Sequence, residues 1–316
     1  MDKRKLIIDT DCGSDDAMAI AMALNDPRYE ILFFTIVTGN VRMRQAAVNT
    51  LTTIEASGTY APPVYLGCND PLINPYAGST DTHGTDGMGD LGFAPKRLKP
   101  AAGNAVLRMI EALDAHADGE IEIIALGPLT NLALAIRLAP ESMKKVRRIS
   151  IMGTSGLGPG NVSAVAEFNI WQDAEAARIV FESGLPLLAV GWDACCGDAM
   201  LSPAEMEQIR AASPLGRFAV DCNRTLAELN VARFGCRCLD MADPAAMAAA
   251  LEPSCIDVCD DYYCVIDTTP GPSYGAALVD IINFGGKKPT AAICSRLKPD
   301  RFKAYLMQTL AGTFAG

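Results

Sequence analysis

The densest group of chemically reactive side chains is a run of aspartates near the N-terminus. Asp9, Asp11, Asp15 and Asp16 lie within eight residues, directly after the apolar residues 6–8. Carboxylates this close repel one another unless a cation or hydrogen-bond donors compensate. Asp15 and Asp16 could simply favour a helix N-terminus, but that explanation does not account for Asp9 and Asp11. Because carboxylate oxygens are hard ligands, the cluster predicts a Ca²⁺ or Mg²⁺ site.

Two other kinds of aspartate-rich site do not fit this run. An EF-hand loop needs a bidentate Glu at its twelfth position, and that position, counted from Asp9, is Ile20. Phosphotransferases with an aspartate nucleophile resemble Asp-x-Asp-x-Thr/Val, whereas Gly13 occupies the last position of that pattern here.

The eleven cysteines are scattered along the chain. Cys236-x-Cys238 and Cys255-x-x-x-Cys259 do not have the spacing of zinc knuckles, and the chain has only two histidines, so a zinc site is disfavoured. The apolar stretch after the charged N-terminus is too short for a signal peptide. We therefore expect a cytoplasmic protein with reduced, mostly buried thiols.

Composition narrows the class of protein further. Half of the 316 residues are apolar, a fifth are charged and the net charge is -10, which is an ordinary globular balance. An acidic chain repels phosphate backbones and anionic membrane surfaces, so no nucleic-acid or membrane partner is expected. No apolar run of about 18 residues is present, so no membrane span is predicted.

Apolar strand patterns alternate with helical patterns along the chain, and residues 69–100 look irregular. Continuous apolar strands indicate burial on both faces, as in a parallel sheet covered by helices. We predict one α/β domain over residues 1–316, with an open, mostly parallel, Rossmann-like sheet and a site at the carboxyl ends of its strands. The predicted strands are residues 6–9, 31–37, 121–126, 146–152, 187–190 and 263–266, and the predicted helices are 15–24, 43–56, 102–115, 130–138, 174–182, 203–212 and 214–228.

The aspartate run resembles the Asp-x-Asp-x-Gly-x-Asp-Asp-Ala signature of the nucleoside hydrolase family. Together the matching segments are highly specific, although each short piece alone is weak. Further segments match that family in the same order: Val37-Thr38-Gly39-Asn40, His83-Gly84-x-Asp86-Gly87, Leu126-Gly127-Pro128-Leu129-Thr130-Asn131, Met152-Gly153, Gly160-Asn161, Glu167-Phe168-Asn169 with Asp173, and Asp243-Pro244.

The resemblance implies an N-glycosyl hydrolase that cleaves a small-molecule ribonucleoside to ribose and free base, with a role in purine or pyrimidine salvage. The transition state would be oxocarbenium-like, as in other glycosidases. It also implies a homodimer or homotetramer with one Ca²⁺ per subunit. By resemblance, Asp11, Asp16, Asp243 and the carbonyl of Leu126 bind the ion, and Asp11 takes a proton from the metal-bound water.

The same resemblance assigns a set of residues to the ribose, although some have simpler explanations. Met152 is more often a core residue than a ligand. Phe168 could belong to the core or face the base. Asn131 could only brace a turn and is not assigned to the site. The ribose-binding residues implied are Asp15, Asn40, Met152, Asn161, Glu167, Phe168 and Asn169.

One position departs from the family pattern. Many members carry a histidine before the C-terminal Asp-Pro as a proposed proton donor to the leaving base, but Ala242 stands here. His83 either assists the base or only orders its loop. Base-stacking aromatic residues are the other replacement, and the candidates are Trp192, Phe168, Phe234 and Tyr262.

Two alternative functions stay open. Ala242 motivates the first, a catalytically weak protein that binds a nucleoside or ribose. The second is a hydrolase of another N-ribosyl compound. Base contacts are expected from residues 80–91 and 221–234, which match the family least. Base preference stays open at this point.

Overall fold

The computed structural model describes residues 3–314 of the chain. Within them, strands and helices alternate as predicted for most of the sequence. The strands are β1 (Arg4–Thr10), β2 (Tyr29–Ile36), β3 (Val64–Leu66), β4 (Ile121–Ala125), β5 (Arg148–Met152), β6 (Leu187–Val190), β7 (Ile256–Ile266), β8 (Ala277–Asp280) and β9 (Ala291–Leu297). The helices are α1 (Ser14–Asn25), α2 (Met43–Ser57), α3 (Thr80–His83), α4 (Ala105–Ala115), α5 (Thr130–Leu138), α6 (Pro140–Met143), α7 (Phe168–Gln172), α8 (Ala174–Phe181), α9 (Pro203–Ala212), α10 (Pro214–Asp221), α11 (Arg224–Phe234), α12 (Ala242–Leu251) and α13 (Pro299–Ala311).

The strands form one nine-stranded sheet in the order β3-β2-β1-β4-β5-β6-β9-β7-β8. The pairings from β3 to β9 are parallel, and β7 pairs antiparallel with both β9 and β8. The predicted open, mostly parallel sheet flanked by helices is therefore confirmed. Because parallel strands end at the same edge, the motifs that follow β1, β2, β4 and β5 are brought together there.

Both faces of the sheet are covered. In β1, Leu6 and Ile8 belong to the core cluster that includes residues of α1, α12 and α13, whereas Ile7 belongs to the cluster with α4, α5 and α8. Successive side chains of a strand point to opposite faces, so a fully apolar strand needs helices on both sides. This is the physical reason why the continuous apolar runs predicted an α/β fold correctly.

The structure corrects the prediction for residues 214–228. These residues form two helices, α10 and α11, with a break at Cys222 and Asn223. The Asn223 side chain donates to the carbonyls of Ala219 and Ser14, at 2.9 and 2.8 Å. An asparagine that satisfies neighbouring carbonyls in this way offers the backbone an alternative to continuing the helix.

Several elements of the last third were not predicted, namely α12, β8, β9 and α13. In α12, every residue after Ala242 is buried. A helix buried on all sides has no polar face, so its sequence lacks the amphipathic period on which prediction depends. The predicted strand 263–266 is the end of the longer strand β7.

The expectation of reduced thiols is wrong for one pair, because Cys236 and Cys238 form a disulfide. The other cysteines are free and buried or partly buried, as expected. Among residues 3–314, no helix is long and apolar enough to cross a membrane.

Candidate active site

The N-termini of two packed helices bring acidic side chains together. Helix α12 packs against α1 in the core. Asp15 and Asp16 lie in the first turn of α1, and Asp243 lies in the first turn of α12. Carboxylate oxygens of these three residues all lie within 4.8 Å of one another. Helix N-termini stabilise negative charge, so the fold supports part of this repulsive arrangement.

Asp11 lies beside this group, just after β1. Its Oδ2 accepts from the backbone N–H of Asn40 at 2.5 Å, whereas its buried Oδ1 has no hydrogen-bond partner. A Cβ atom at Gly39 would lie 2.0 Å from Oδ2, and one at Gly127 would lie 2.7 Å from Oδ1. The glycines of two sequence motifs therefore leave room for this one carboxylate.

The electrostatics of the cluster favour a cation. Burial, with the charge of Asp15, raises the pKa of Asp16 to about 7. Burial and neighbouring carboxylates also raise the pKa values of Asp11 and Asp243 well above the ordinary range. A bound cation would reverse these shifts, because its charge favours the ionised carboxylates. The donor set contains only oxygens, and the unpartnered Oδ1 of Asp11 supplies an unused ligand atom, so the residues fit a hard metal ion.

The group of mutually close carboxylates differs in part from the ligand set implied by resemblance. It contains Asp15 in addition to Asp16 and Asp243. Besides burial, the charges of Asp16 and Asp15 raise the pKa of Asp11, which ties Asp11 to this group. The carbonyl of Leu126 accepts from the Asn169 side chain at 2.7 Å.

Asp9 and Asn131 form a separate, structural pair. Asn131 Nδ2 donates to Asp9 Oδ1 at 2.7 Å and to the carbonyl of Ile36 at 3.1 Å, and its Oδ1 accepts from the backbone of Cys68. Burial raises the pKa of Asp9 to about 7. Asn131 thus connects β1, β2 and the segment after β3, which agrees with a bracing role for this residue.

A cavity of about 450 Å³ opens above the acidic group. Asp11 and Asp16 are fully buried and are not among its lining residues. The cavity brings together, from eight separate parts of the sequence, the other predicted site residues Asp15, Asn40, His83, Leu126, Met152, Asn161, Glu167, Phe168, Asn169 and Asp243.

The polar wall of the cavity is held by hydrogen bonds to the backbone. Glu167 caps α7, since its carboxylate accepts from the backbone N–H groups of Asn169 and Ile170. The Asn169 side chain donates to the carbonyls of Leu126 and Met152, at 2.7 and 3.2 Å. Burial raises the pKa of Glu167 to about 7. Side chains fixed in this way are preorganised for a polar ligand.

His83 both lines the cavity and orders its loop. Its Nδ1 accepts from the backbone N–H of Ser14 at 3.3 Å and lies 2.9 Å from the Ser14 hydroxyl. Burial lowers the pKa of His83, although Asp15 and Asp240 oppose that shift. The imidazole is therefore neutral near pH 7, and because Nδ1 is an acceptor, the proton is assigned to Nε2. The backbone of His83 also bonds to that of Ser79 and Gly89.

Two of the four aromatic candidates, Trp192 and Phe168, line the cavity, as does Ala242. Phe234 is 40% exposed and Tyr262 packs against the other core cluster, and neither is among the residues that line the cavity.

Asp240 also lines the cavity and was missed. It lies outside every motif that resembles the family and is a single polar residue without a diagnostic spacing. Arg233 lines the cavity too and belongs to segment 221–234, for which base contacts were expected. Segments 80–91 and 221–234, which were expected to contact the base, both contribute lining residues, among them Thr80 and Leu226.

Comparison with known proteins matches nearly the whole chain to one family. Residues 6–304 match the family described as inosine-uridine preferring nucleoside hydrolase. The chain is 32% identical to the pyrimidine-specific ribonucleoside hydrolase RihB of Escherichia coli, over 317 residues that cover 99% of this chain and 98% of that protein.

Solved structures give the same result. The plant nucleoside hydrolase PpNRh1 matches with a TM-score of 0.89 and 31% identity, covering 98% of this chain and 99% of that chain. The purine-preferring ribonucleoside hydrolase from Gardnerella vaginalis matches with a TM-score of 0.89 and 28% identity, over 98% of both chains. The resemblance found in the motifs and the α/β fold are both confirmed.

Proposed function

Since this chain belongs to the inosine-uridine preferring nucleoside hydrolase family and is thus a ribonucleoside N-glycosyl hydrolase, we propose that its reaction depends on Ca²⁺ and on Asp11 as general base. The observation that carries the proposal is the convergence of Asp15, Asp16 and Asp243 beside an Asp11 oxygen that is buried without a partner. A polar cavity of nucleoside size adjoins them.

We assign the ion to Asp11, Asp16, Asp243 and the carbonyl of Leu126. Asp15 belongs to the same close group, but it lines the cavity, whereas Asp11 and Asp16 are fully buried, so Asp15 is the carboxylate best placed for a sugar hydroxyl. When bound, the ion would supply a Lewis acid that favours ionisation of water and attracts the ribose hydroxyls. An all-oxygen donor set suits Ca²⁺.

Asp11 is suited to accept a proton from the attacking water. Its Oδ2 is oriented by the Asn40 backbone N–H, and its Oδ1 is free of hydrogen bonds. Water adds to C1′ while the C1′–N bond to the base breaks and the sugar carries oxocarbenium character. The water loses one proton to Asp11, and its oxygen becomes the C1′ hydroxyl of the ribose product.

The polar wall fixes the sugar during this step. A site built to hydrogen-bond hydroxyls discriminates against analogues that lack them, because its buried polar groups are then unpaired. Hydrogen bonds to backbone groups hold the side chains of Glu167 and Asn169 in place. The residues we assign to ribose are Asp15, Asn40, Met152, Asn161, Glu167, Phe168 and Asn169.

The departing base needs a proton or a hydrogen bond. Ala242 cannot donate one. His83 lines the same cavity, and its neutral tautomer carries a proton on Nε2, so we assign the donation to this residue. His83→Ala should slow natural nucleosides more than a nitrophenyl riboside, whose leaving group needs no proton. Equal slowing of both substrates would assign His83 to the sugar or to its loop.

The experiment that tests the function is a panel of purine and pyrimidine nucleosides assayed for released reducing sugar. We expect release that a calcium chelator abolishes and added Ca²⁺ restores. Release that is unchanged by chelation would contradict the calcium assignment. Binding without release for every nucleoside would favour the alternative raised by Ala242, a catalytically weak ribose-binding protein, and release from nicotinamide riboside alone would favour another N-ribosyl substrate.

A further inference from the structure

Trp192 is held at both ends in the wall of the cavity. Trp192 lies two residues after the end of β6, and its backbone N–H donates to the carbonyl of Thr154 at 3.0 Å. Its indole Nε1 donates to Asp240 Oδ2 at 3.3 Å, across 48 residues of sequence. Trp192, Asp240 and Ala242 all line the same cavity. The indole therefore spans from the end of a sheet strand to the segment that leads into α12.

Asp240 is itself firmly held. The side chain of Asn230 donates to its Oδ1 at 2.7 Å and to the carbonyl of Cys238 at 2.9 Å. Asn230 is fully buried and Asp240 is 4% exposed. Leu239 pairs through its backbone with Leu201. A carboxylate fixed in this way can hold a neighbouring side chain in one orientation.

The hydrogen-bond donors around Asp240 indicate the protonation state of its carboxyl group. Both of its oxygens accept an N–H, from Trp192 and from Asn230, so the carboxylate acts as an acceptor. Burial raises the pKa of Asp240, while the Asn230 hydrogen bond and the charge of Arg233 lower it. Asp240 is therefore suited to orienting the indole and not to donating a proton.

We propose that Asp240 is a positioning residue that fixes the Trp192 indole as a rigid wall for the departing base. This inference rests on the proposed function, because the cavity end at Ala242 is then the end that receives the base. A wall that is ordered before binding loses no side-chain entropy when the base arrives. The indole can also keep water away from that side of the base, next to Ala242, where many family members carry a histidine.

The spectroscopic test uses the small number of tryptophans. The chain has two, Trp171 and Trp192, so Trp171→Phe leaves Trp192 as the only indole emitter. In that background, Asp240→Asn should shift the emission to the red and increase acrylamide quenching. The two N–H donors face different oxygens of Asp240, and asparagine replaces one of those acceptors with an NH₂ donor. Asp240→Glu should restore part of the wild-type spectrum.

The kinetic test compares leaving groups. For natural nucleosides, Asp240→Asn should lower kcat/KM about tenfold, in line with the loss of one charge-assisted hydrogen bond. For a nitrophenyl riboside the loss should be less than about threefold, because that leaving group depends little on base positioning. Asp198→Asn is the matched control, since Asp198 is exposed just after Trp192 and should change neither substrate.

Three results would overturn the proposal. One is equal loss on both substrates, another is an unchanged Trp192 spectrum, and the third is unchanged kcat/KM for natural nucleosides. If Asp240→Asn fails to fold, Trp192→Phe keeps an aromatic ring without the N–H and should give the same selective loss. If both variants fold, their losses should not add, because they remove one interaction, and additive losses would contradict the proposal. A wild-type protein inactive on every nucleoside would refute the proposed function instead, and the Trp192 spectrum alone would then decide this inference.

Discussion

Asp11 has two carboxylate oxygens in different states, and this difference can be tested at the scale of one residue. Asp11→Asn keeps the shape of the side chain but removes the proposed general base and a proposed metal-binding charge. Turnover should fall by at least about 10²-fold at saturating Ca²⁺, the size of a general-base contribution. Asp198→Asn is a suitable control, because Asp198 is an exposed carboxylate that does not line the cavity. Near-normal turnover with Ca²⁺ still bound would assign the base to another group.

Thr154 is a second residue with a distinctive state. It is fully buried and has a φ of 80°, where a β-branched side chain is strained. Thr154→Gly and Thr154→Ala both lose the hydroxyl that accepts from Gly156, but only glycine also relieves the backbone.

The two Thr154 variants should therefore differ in a known direction. Thr154→Gly should be more stable than Thr154→Ala by about 1 kcal/mol, since left-handed strain of about 1–3 kcal/mol exceeds the extra entropy that glycine loses on folding. Urea denaturation of both variants measures the difference. An alanine variant as stable as the glycine variant would show that the backbone at residue 154 is not strained.

At the scale of single residues, the sequence predicted those site residues that belong to a recognisable short motif. Gly39 and Gly127 could be recognised because the carboxylate of Asp11 leaves no room for a larger residue. Asp240 and Trp192 could not be paired, since they are 48 residues apart and belong to no spaced pattern. A hydrogen bond between residues far apart in sequence depends on how the chain folds, and the types of the two residues do not reveal it.

At the scale of elements, α12 controls how closely Asp243 approaches α1. Ala246 is fully buried in this helix, so Ala246→Leu should force α12 away from its neighbours. We expect a loss of about 1–3 kcal/mol in the free energy of unfolding from overpacking. Calcium affinity should also fall, although no ligand is changed. Ala232→Leu, at an exposed position of α11, is the control, and unchanged calcium affinity in Ala246→Leu would show that helix spacing does not set the site.

The loop after β5 depends on Asp193. Its Oδ2 accepts from the backbone N–H of Leu157 at 2.9 Å, its Oδ1 is buried without a partner, and burial raises its pKa from 3.8 to about 6. Because the folded state holds this proton more tightly than the unfolded state, the contribution to stability is present below pH 3.8 and is lost as the pH rises through about 6.

Asp193→Asn should remove that pH dependence. The stability of the wild type relative to the variant should fall between pH 3.8 and about 6 and stay level above it. Urea denaturation at a series of pH values gives the difference curve. A flat curve would mean that Asp193 has an ordinary pKa in the folded protein.

Element prediction succeeded where each element has a one-sided or continuous apolar pattern. The strand at residues 187–190 and the helix at residues 130–138 have the predicted bounds. It failed for α12, whose residues after Asp243 are all apolar. It also failed at Asn223, where a side chain bonded to Ser14 ends a helix that the local pattern would continue. The contacts that decide both cases lie far away in sequence.

For the whole molecule, the fold class followed from strand–helix alternation, but the strand order did not. Strand β9 lies between β6 and β7, so the last strand of the chain is inserted between two earlier ones. Alternation indicates parallel neighbours without specifying where a late strand enters. This insertion brings Gly191 next to β9 through the carbonyl of Cys294, and Trp192 follows directly.

The proposed calcium site should also be visible in the stability of the whole molecule. A ligand that binds only the folded state stabilises it by RT ln(1 + [L]/Kd), which is about 2.7 kcal/mol at a hundredfold excess over Kd. The melting temperature of the chelated protein should therefore rise with added Ca²⁺. Mg²⁺ should raise it less, because its strict octahedral geometry fits a crowded carboxylate cluster poorly.

Asp16 provides the decisive variant for this thermal test. It is fully buried in the close group with Asp15 and Asp243, so Asp16→Asn should abolish most of the calcium-dependent rise. Asp81→Asn, which changes the same charge on the exposed cavity wall, should retain the full rise. A rise that persists in Asp16→Asn, or one that Asp81→Asn also loses, would place the ion elsewhere on the molecule. Because the assay needs no substrate, it separates the metal site from every assumption about the reaction.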